Sequence, residues 1–196
     1  MSTTSTTRRA LLALAAAWGL APAAWAQPCI ETGTPFQVAY AQQSWLGSDV
    51  VTYDVQIHSY RFIPRVNMTL CSIGYTSPPN PPGKYRFKLR DVTATPVVLL
   101  NQVFNPAATF FPPQAIPNTT YQPVGPVALT AGRTYEISRT ALNFSQFDQL
   151  IGRLLTNQAG QFPIAAPSIT IVSTKLHKLG GPSVNQLLPF IDFGTY

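Results

Sequence analysis

The chain is short of the parts that catalysis uses. Its 196 residues include two histidines, His58 and His177, and seven acids. Neither histidine has ligand spacing to another His, Cys or carboxylate, and Lys175-Leu176-His177-Lys178 would repel a cation, so no metal centre is expected. Nucleophile elbow and phosphate loop are both missing. A glycosidase could draw two carboxylates from Glu31, Asp49, Asp54, Asp91, Glu136, Asp148 and Asp192. The spacing singles out no pair, and Glu136 beside Arg139 reads equally well as an ordinary salt bridge. Neither an enzymatic activity nor a cofactor is expected.

No apolar run reaches the roughly 20 residues that a membrane helix needs. The longest, Ala10 to Leu20, follows Arg8-Arg9 and precedes Ala24-Trp25-Ala26, the order of a signal peptide with its small-residue cleavage site. Residues 1–26 are therefore read as a leader for general secretion. Arg8-Arg9 before Ala10-Leu11-Leu12 also partly fits the twin-arginine pattern, without its later lysine. Residues 27–196 are long enough for one core, and a single secreted or periplasmic domain is expected. Losing Arg8 and Arg9 leaves 11 basic against 7 acidic residues, so the formal charge falls from +6 to +4. That is too mild for a nucleic-acid binder.

Cysteine is scarce as well, with Cys29 and Cys71 alone. An even pair in an oxidising compartment reads as one disulfide. Closing that loop stabilises by about 4 kcal/mol on the chain-entropy model. Gln27 and Pro28 stand where a lipid-anchored cysteine would need small residues.

Proline, by contrast, is abundant: 19 residues, clustered at Pro78-Pro79-Asn80-Pro81-Pro82, at Pro112-Pro113 and at Pro123 and Pro126. Such punctuation excludes long helices. Between the clusters lie short runs rich in Val, Ile, Thr, Tyr and Phe: 50–57, 67–74, 84–91, 97–104, 120–124, 133–139 and 168–174. They predict an all-β fold, an antiparallel β-sandwich or jelly roll. One short helix is expected near 144–155, where Phe144, Phe147, Leu150, Ile151 and Leu154 recur at helical spacing. The C-terminal run Phe190 to Tyr196 reads as the last core strand. Lipid contact is disfavoured there, because alternation puts Asp192 on the face of Tyr196.

Lys84-Tyr85-Arg86-Phe87-Lys88-Leu89-Arg90-Asp91 alternates with the two-residue period of a strand. Tyr85, Phe87 and Leu89 then face the core, and Lys84, Arg86, Lys88 and Arg90 the other side. Adjacent cations roughly 7 Å apart repel by about 0.6 kcal/mol in water, a cost that solvation tolerates. Two readings follow: an edge strand protected by its charges, or a face for an acidic surface polymer. Base stacking is excluded, because the aromatics point away from the cations.

Pro126 to Ile137 reads as strand, turn at Ala131-Gly132, strand. Its "leucine, x, alanine, glycine, x, threonine, tyrosine" turn resembles that of a family of bacterial secreted β-sandwich domains, similar in outline to carbohydrate-binding modules. Leu70 to Tyr75, Tyr85 to Asp91, Val98 to Phe104 and Thr120 to Val124 resemble that family's preceding strands in order, over about residues 50 to 140. Where the family commonly carries tryptophans, this chain has Phe87 and Tyr121 nearby. The resemblance implies a glycan ligand. Stacking on a sugar needs exposed flat rings, for which Trp45, the one tryptophan past the leader, and Tyr75 and Tyr60 are the candidates. The expected product is a non-catalytic, monomeric glycan-binding domain with no transmembrane segment, anionic glycans being favoured by the basic strand. The alternative is an adhesion or structural subunit that self-associates through strand edges.

Overall fold

Proline and glycine interrupt the chain often enough that extended runs of two to ten residues are what remains to pair. The computed structural model describes residues 27–42, 50–52, 55–75, 84–104, 119–142, 150–154, 162–178 and 187–196. One helix, α1 (Pro35–Ala41), precedes twelve strands. These are β1 (Val50–Thr52), β2 (Val55–Pro64), β3 (Met68–Tyr75), β4 (Tyr85–Asp91), β5 (Val97–Phe104) and β6 (Thr120–Leu129). The chain continues through β7 (Tyr135–Ala141), β8 (Leu150–Leu154), β9 (Ile164–Ala165), β10 (Ile169–Lys178), β11 (Leu187–Pro189) and β12 (Ile191–Thr195).

All pairings are antiparallel. A six-stranded sheet of order β5-β4-β7-β2-β10-β9 faces a three-stranded sheet of order β12-β3-β6, and a small ladder, β1-β8-β11, shares no strand with either. The two larger sheets form the expected β-sandwich. Its core is unusually aromatic. Phe62 on β2 stacks on Phe193 of β12 at 5.1 Å, Tyr75 of β3 meets Tyr85 and Phe87 of β4 at 5.0 and 5.4 Å, and Phe87 stacks on Phe104 at 4.6 Å.

One expectation about an element is corrected. Residues 150–154, placed in a helix by their apolar spacing, are strand β8, paired with β1 and β11. Gly152 weakens any helix there, and pairing on both sides overrides a weak local preference. The other residues of 144–155 lie outside the described set. The helix that exists is α1, and its start is encoded locally. Pro35 occupies the first turn, and Thr34 Oγ1 accepts the Gln37 N–H at 3.1 Å while Gln37 Oε1 accepts the Gly33 N–H at 2.8 Å.

Because the large sheet is twice as wide as its partner, α1 fills the uncovered part, setting Phe36 on Tyr60 at 5.7 Å and Tyr40 against Phe190 at 5.5 Å. To reach that place, residues 29–37 cross the outer face of the three-stranded sheet. The Cys29–Cys71 disulfide, Cα–Cα 5.8 Å, ties the start of this segment to β3. Ile30 bridges to Thr195. Gly194 permits the crossing, since a Cβ there would lie 2.8 Å from Cys29 Sγ and 3.0 Å from the Ile30 carbonyl. Among the described residues no helix is long and apolar enough to cross a membrane.

The two ends of the sandwich differ. At one, β2–β3, β4–β5 and β6–β7 are joined by turns of three to five residues. At the other, β3 ends at Tyr75, β5 at Phe104, β7 at Ala141 and β10 at Lys178, and β4 begins at Tyr85.

Candidate functional site

Strand β4 behaves as its alternation predicts: Tyr85, Phe87 and Leu89 are buried, and Lys84 and Arg86 are exposed with Lys88 and Arg90 half-buried. It is not an edge strand. Hydrogen bonding to β5 on one side and β7 on the other places it inside the six-stranded sheet, so its cations cannot be explained as protection of a free edge.

Register extends the cationic strip across the sheet. Lys88 is opposite Ser138 of β7, Ser138 opposite Ser59 of β2, and Ser59 opposite Lys175 of β10. In the row on one side, Arg86 is opposite Thr140. In the row on the other, Arg90, Glu136, Arg61 and Ser173 follow in order. The outer face is thus a shallow, serine-floored surface. Lys88 and Lys175 stand three strand spacings apart, about 14 Å, with Arg86 roughly 7 Å along the strand from Lys88. Ser59 and Ser138 are buried between the longer side chains.

One of the four β4 cations leaves this set. Arg90 and Arg61 both hold Glu136, Arg61 Nε at 3.0 Å from Oε2 and Arg90 Nη2 on Oε1. Glu136 therefore pairs across strands, not with Arg139, which alternation sends to the opposite face. Burial pushes the Glu136 carboxyl up, and the hydrogen bonds from Arg90 and Arg61 outweigh it, so the group sits below its ordinary value. A depressed folded value stabilises above the unfolded one and is lost as pH falls through the folded value. Glu136→Gln is accordingly expected to flatten the loss of stability below about pH 4, as read from denaturant midpoints across an acid series.

The stacking candidates fare differently. Tyr75 is wholly buried against Tyr85 and Phe87, so it is a core residue and offers no ring to a ligand. Tyr60 is equally buried and donates its hydroxyl to the Ile191 carbonyl at 2.8 Å. Trp45 and the proline-rich segment 76–83 lie outside the described residues. Alternation exposed the β4 cations, but Arg61, Lys175 and the serine floor were missed. They come from β2, β7 and β10, between 27 and 87 residues away from Lys88, and only the register joins them. A second concavity, an open hollow of about 490 Å³ lined by Gln27, Asn67, Thr69, Thr130 and Tyr196 among others, lies at the short-turn end and carries no charged side chain.

No protein-family model matches the chain, and no curated protein matches its sequence.

Proposed function

We propose that this chain is an exported, non-catalytic binding domain that takes an acidic glycan or surface polymer on the outer face of its six-stranded sheet. The observation that carries the reading is the unpaired trio Arg86, Lys88 and Lys175 over Ser59 and Ser138. None of the three cations makes an ion pair among the described residues. A flat, positively charged floor with hydroxyls suits an extended polyanion better than a compact ligand, since it supplies repeated charge contacts and no enclosure. Export follows from the leader read over residues 1–26, and the Cys29–Cys71 bridge is compatible with it.

The test uses the mature chain on immobilised polygalacturonate, with neutral dextran as control. Salt-sensitive retention on the acidic polymer alone is expected. Each exposed contact contributes about 0.5–1 kcal/mol, so Arg86→Gln with Lys88→Gln should weaken binding roughly ten-fold. Lys175→Gln, three strands away, should weaken it as well. Retention unchanged in both variants would remove the proposal.

A second reading has its own observation. Edge strand β5 presents Val97, Val98 and Leu99 at 55, 54 and 37 % exposure, and no charged residue lies along it. Free edges of that character pair with other strands. Size exclusion of the same material separates the readings: a monomer accords with polymer binding, whereas concentration-dependent larger species would favour assembly through β5.

A further inference from the structure

The inner face of the six-stranded sheet holds a group for which the aromatic core has no use. Arg139 on β7 is wholly buried. Its guanidinium lies 4.3 Å from the Tyr85 ring centroid and 5.3 Å from that of Tyr75. These cation–π contacts occupy the faces of the group and leave its N–H edges to be satisfied separately. Among the described residues Nη1 reaches only the Gln56 carbonyl, at 3.5 Å, and Nε and Nη2 find no acceptor.

Its neighbours are donors too. His58 is directly opposite Arg139 on β2 and just as buried, and neither ring nitrogen has a partner among the described residues. Burial, with Arg139 nearby, holds the imidazole well below its ordinary value, so it is neutral and carries one N–H. The Tyr75 hydroxyl is buried near the guanidinium without a hydrogen bond of good geometry. The Nε–H and Nη2–H groups of the arginine, the imidazole N–H and the phenol O–H therefore gather in one place, where they outnumber the two acceptors the cluster itself carries, the bare imidazole nitrogen and the phenol oxygen.

The chain's described acids are committed elsewhere. Asp91 takes Arg133 at 2.6 Å, Glu136 is held by Arg61 and Arg90 on the opposite face, and Asp192 serves Thr34, Gln37 and Tyr121. Glu31 stands ahead of α1, where its charge acts on Tyr121. A buried arginine is ordinarily paired, because leaving its charge uncompensated is costly. Nε–H and Nη2–H form one edge of the guanidinium, the two-pronged side that matches the two oxygens of a carboxylate.

We infer that Arg139, with His58 and Tyr75, forms a second site, inside the sandwich, that binds the carboxylate of a small organic acid or of an acidic sugar unit. It lies toward one end of the sandwich. Arg139 is two residues from the end of β7 at Ala141, roughly 7 Å inside the rim, and Tyr75 and Tyr85 are the terminal residues of β3 and β4 at that same rim. The site shares no residue with the outer face, so either can fail without the other.

The Arg139 Nε–H resonance of the mature chain reads the site directly. At constant ionic strength, formate and glucuronate are expected to shift that resonance and to raise Tm by a few degrees near saturation, whereas glucose does neither. A response to formate alone assigns the site to small acids, and a response to both extends it to acidic sugars. Arg139→Gln should abolish the Tm response. His58→Gln, kinder to the core, should weaken it several-fold. An Nε–H signal unmoved by both acids would overturn the proposal. So would a shift of that signal in the ligand-free Asp49→Asn/Asp54→Asn/Asp148→Asn variant, which would reveal one of the chain's own carboxylates as the occupant.

Discussion

Asp192→Ala is expected to lower the unfolding free energy by about 3 kcal/mol or more, measured by urea denaturation of the oxidised protein. The side chain is buried on the outer face of the three-stranded sheet, and its two oxygens accept four hydrogen bonds. Oδ1 takes the Thr34 hydroxyl and the Phe193 N–H, both at 2.6 Å. Oδ2 takes the Tyr121 hydroxyl at 2.5 Å and Gln37 Nε2 at 2.9 Å. Truncation strands several donors under the crossing segment, and each buried orphan costs about 1–3 kcal/mol. It also removes what holds the first turn of α1 to β12. A loss under about 1 kcal/mol would mean that water replaces the carboxylate at little cost, and the N-terminal segment would not be anchored as described.

The pH dependence adds a second check on the same residue. Burial pushes the Asp192 carboxyl up, against the pull of its hydrogen-bond donors, and burial prevails. With the folded value above the unfolded one, the group contributes most stability below the unfolded value and loses it as pH rises through the folded value. That is the reverse of Glu136. The advantage of the wild type over Asp192→Asn should therefore be larger near pH 4 than near pH 7.

How much of this was legible in the sequence depends on the range of the interaction. Strand β4 was, because alternation is local and burial follows it residue by residue. Its neighbours were not: whether β4 lies at an edge is decided by strand order, and the partnership of Lys88 with Ser138, Ser59 and Lys175 by register. Tyr75 looked like a stacking residue since it flanks a proline-rich loop, but β3 is covered on both faces, by β4 and β7 within the sandwich and by residues 29–37 outside it. Two signals were present and outweighed. Thr34-Pro35-Phe36-Gln37 is a capping pattern, masked by the brevity of the helix that follows. Arg139 continues the inward phase of Tyr135 and Ile137, and a charge in an apolar phase marks a buried polar group before any coordinates exist.

Breaking the disulfide, by Cys29→Ser with Cys71→Ser, should cost about 4 kcal/mol if the unfolded chain gains the full freedom of the opened loop. The structure adds a condition on how that loss combines with the loss at Asp192. Both attachments hold one segment, residues 29–37, against the outer face of β3 and β12. If either alone lets the segment lift, the second has little left to restrain, and the double-mutant cycle should show the combined variant losing at least about 1 kcal/mol less than the summed single effects. If the energies simply add, the bridge acts only on the unfolded chain and the Asp192 network holds the helix by itself. The same measurement reports on the core, because Phe36 and Tyr40 travel with that segment: a lifted segment uncovers Tyr60 and Phe190, and the denaturant slope should fall with the smaller area left to expose.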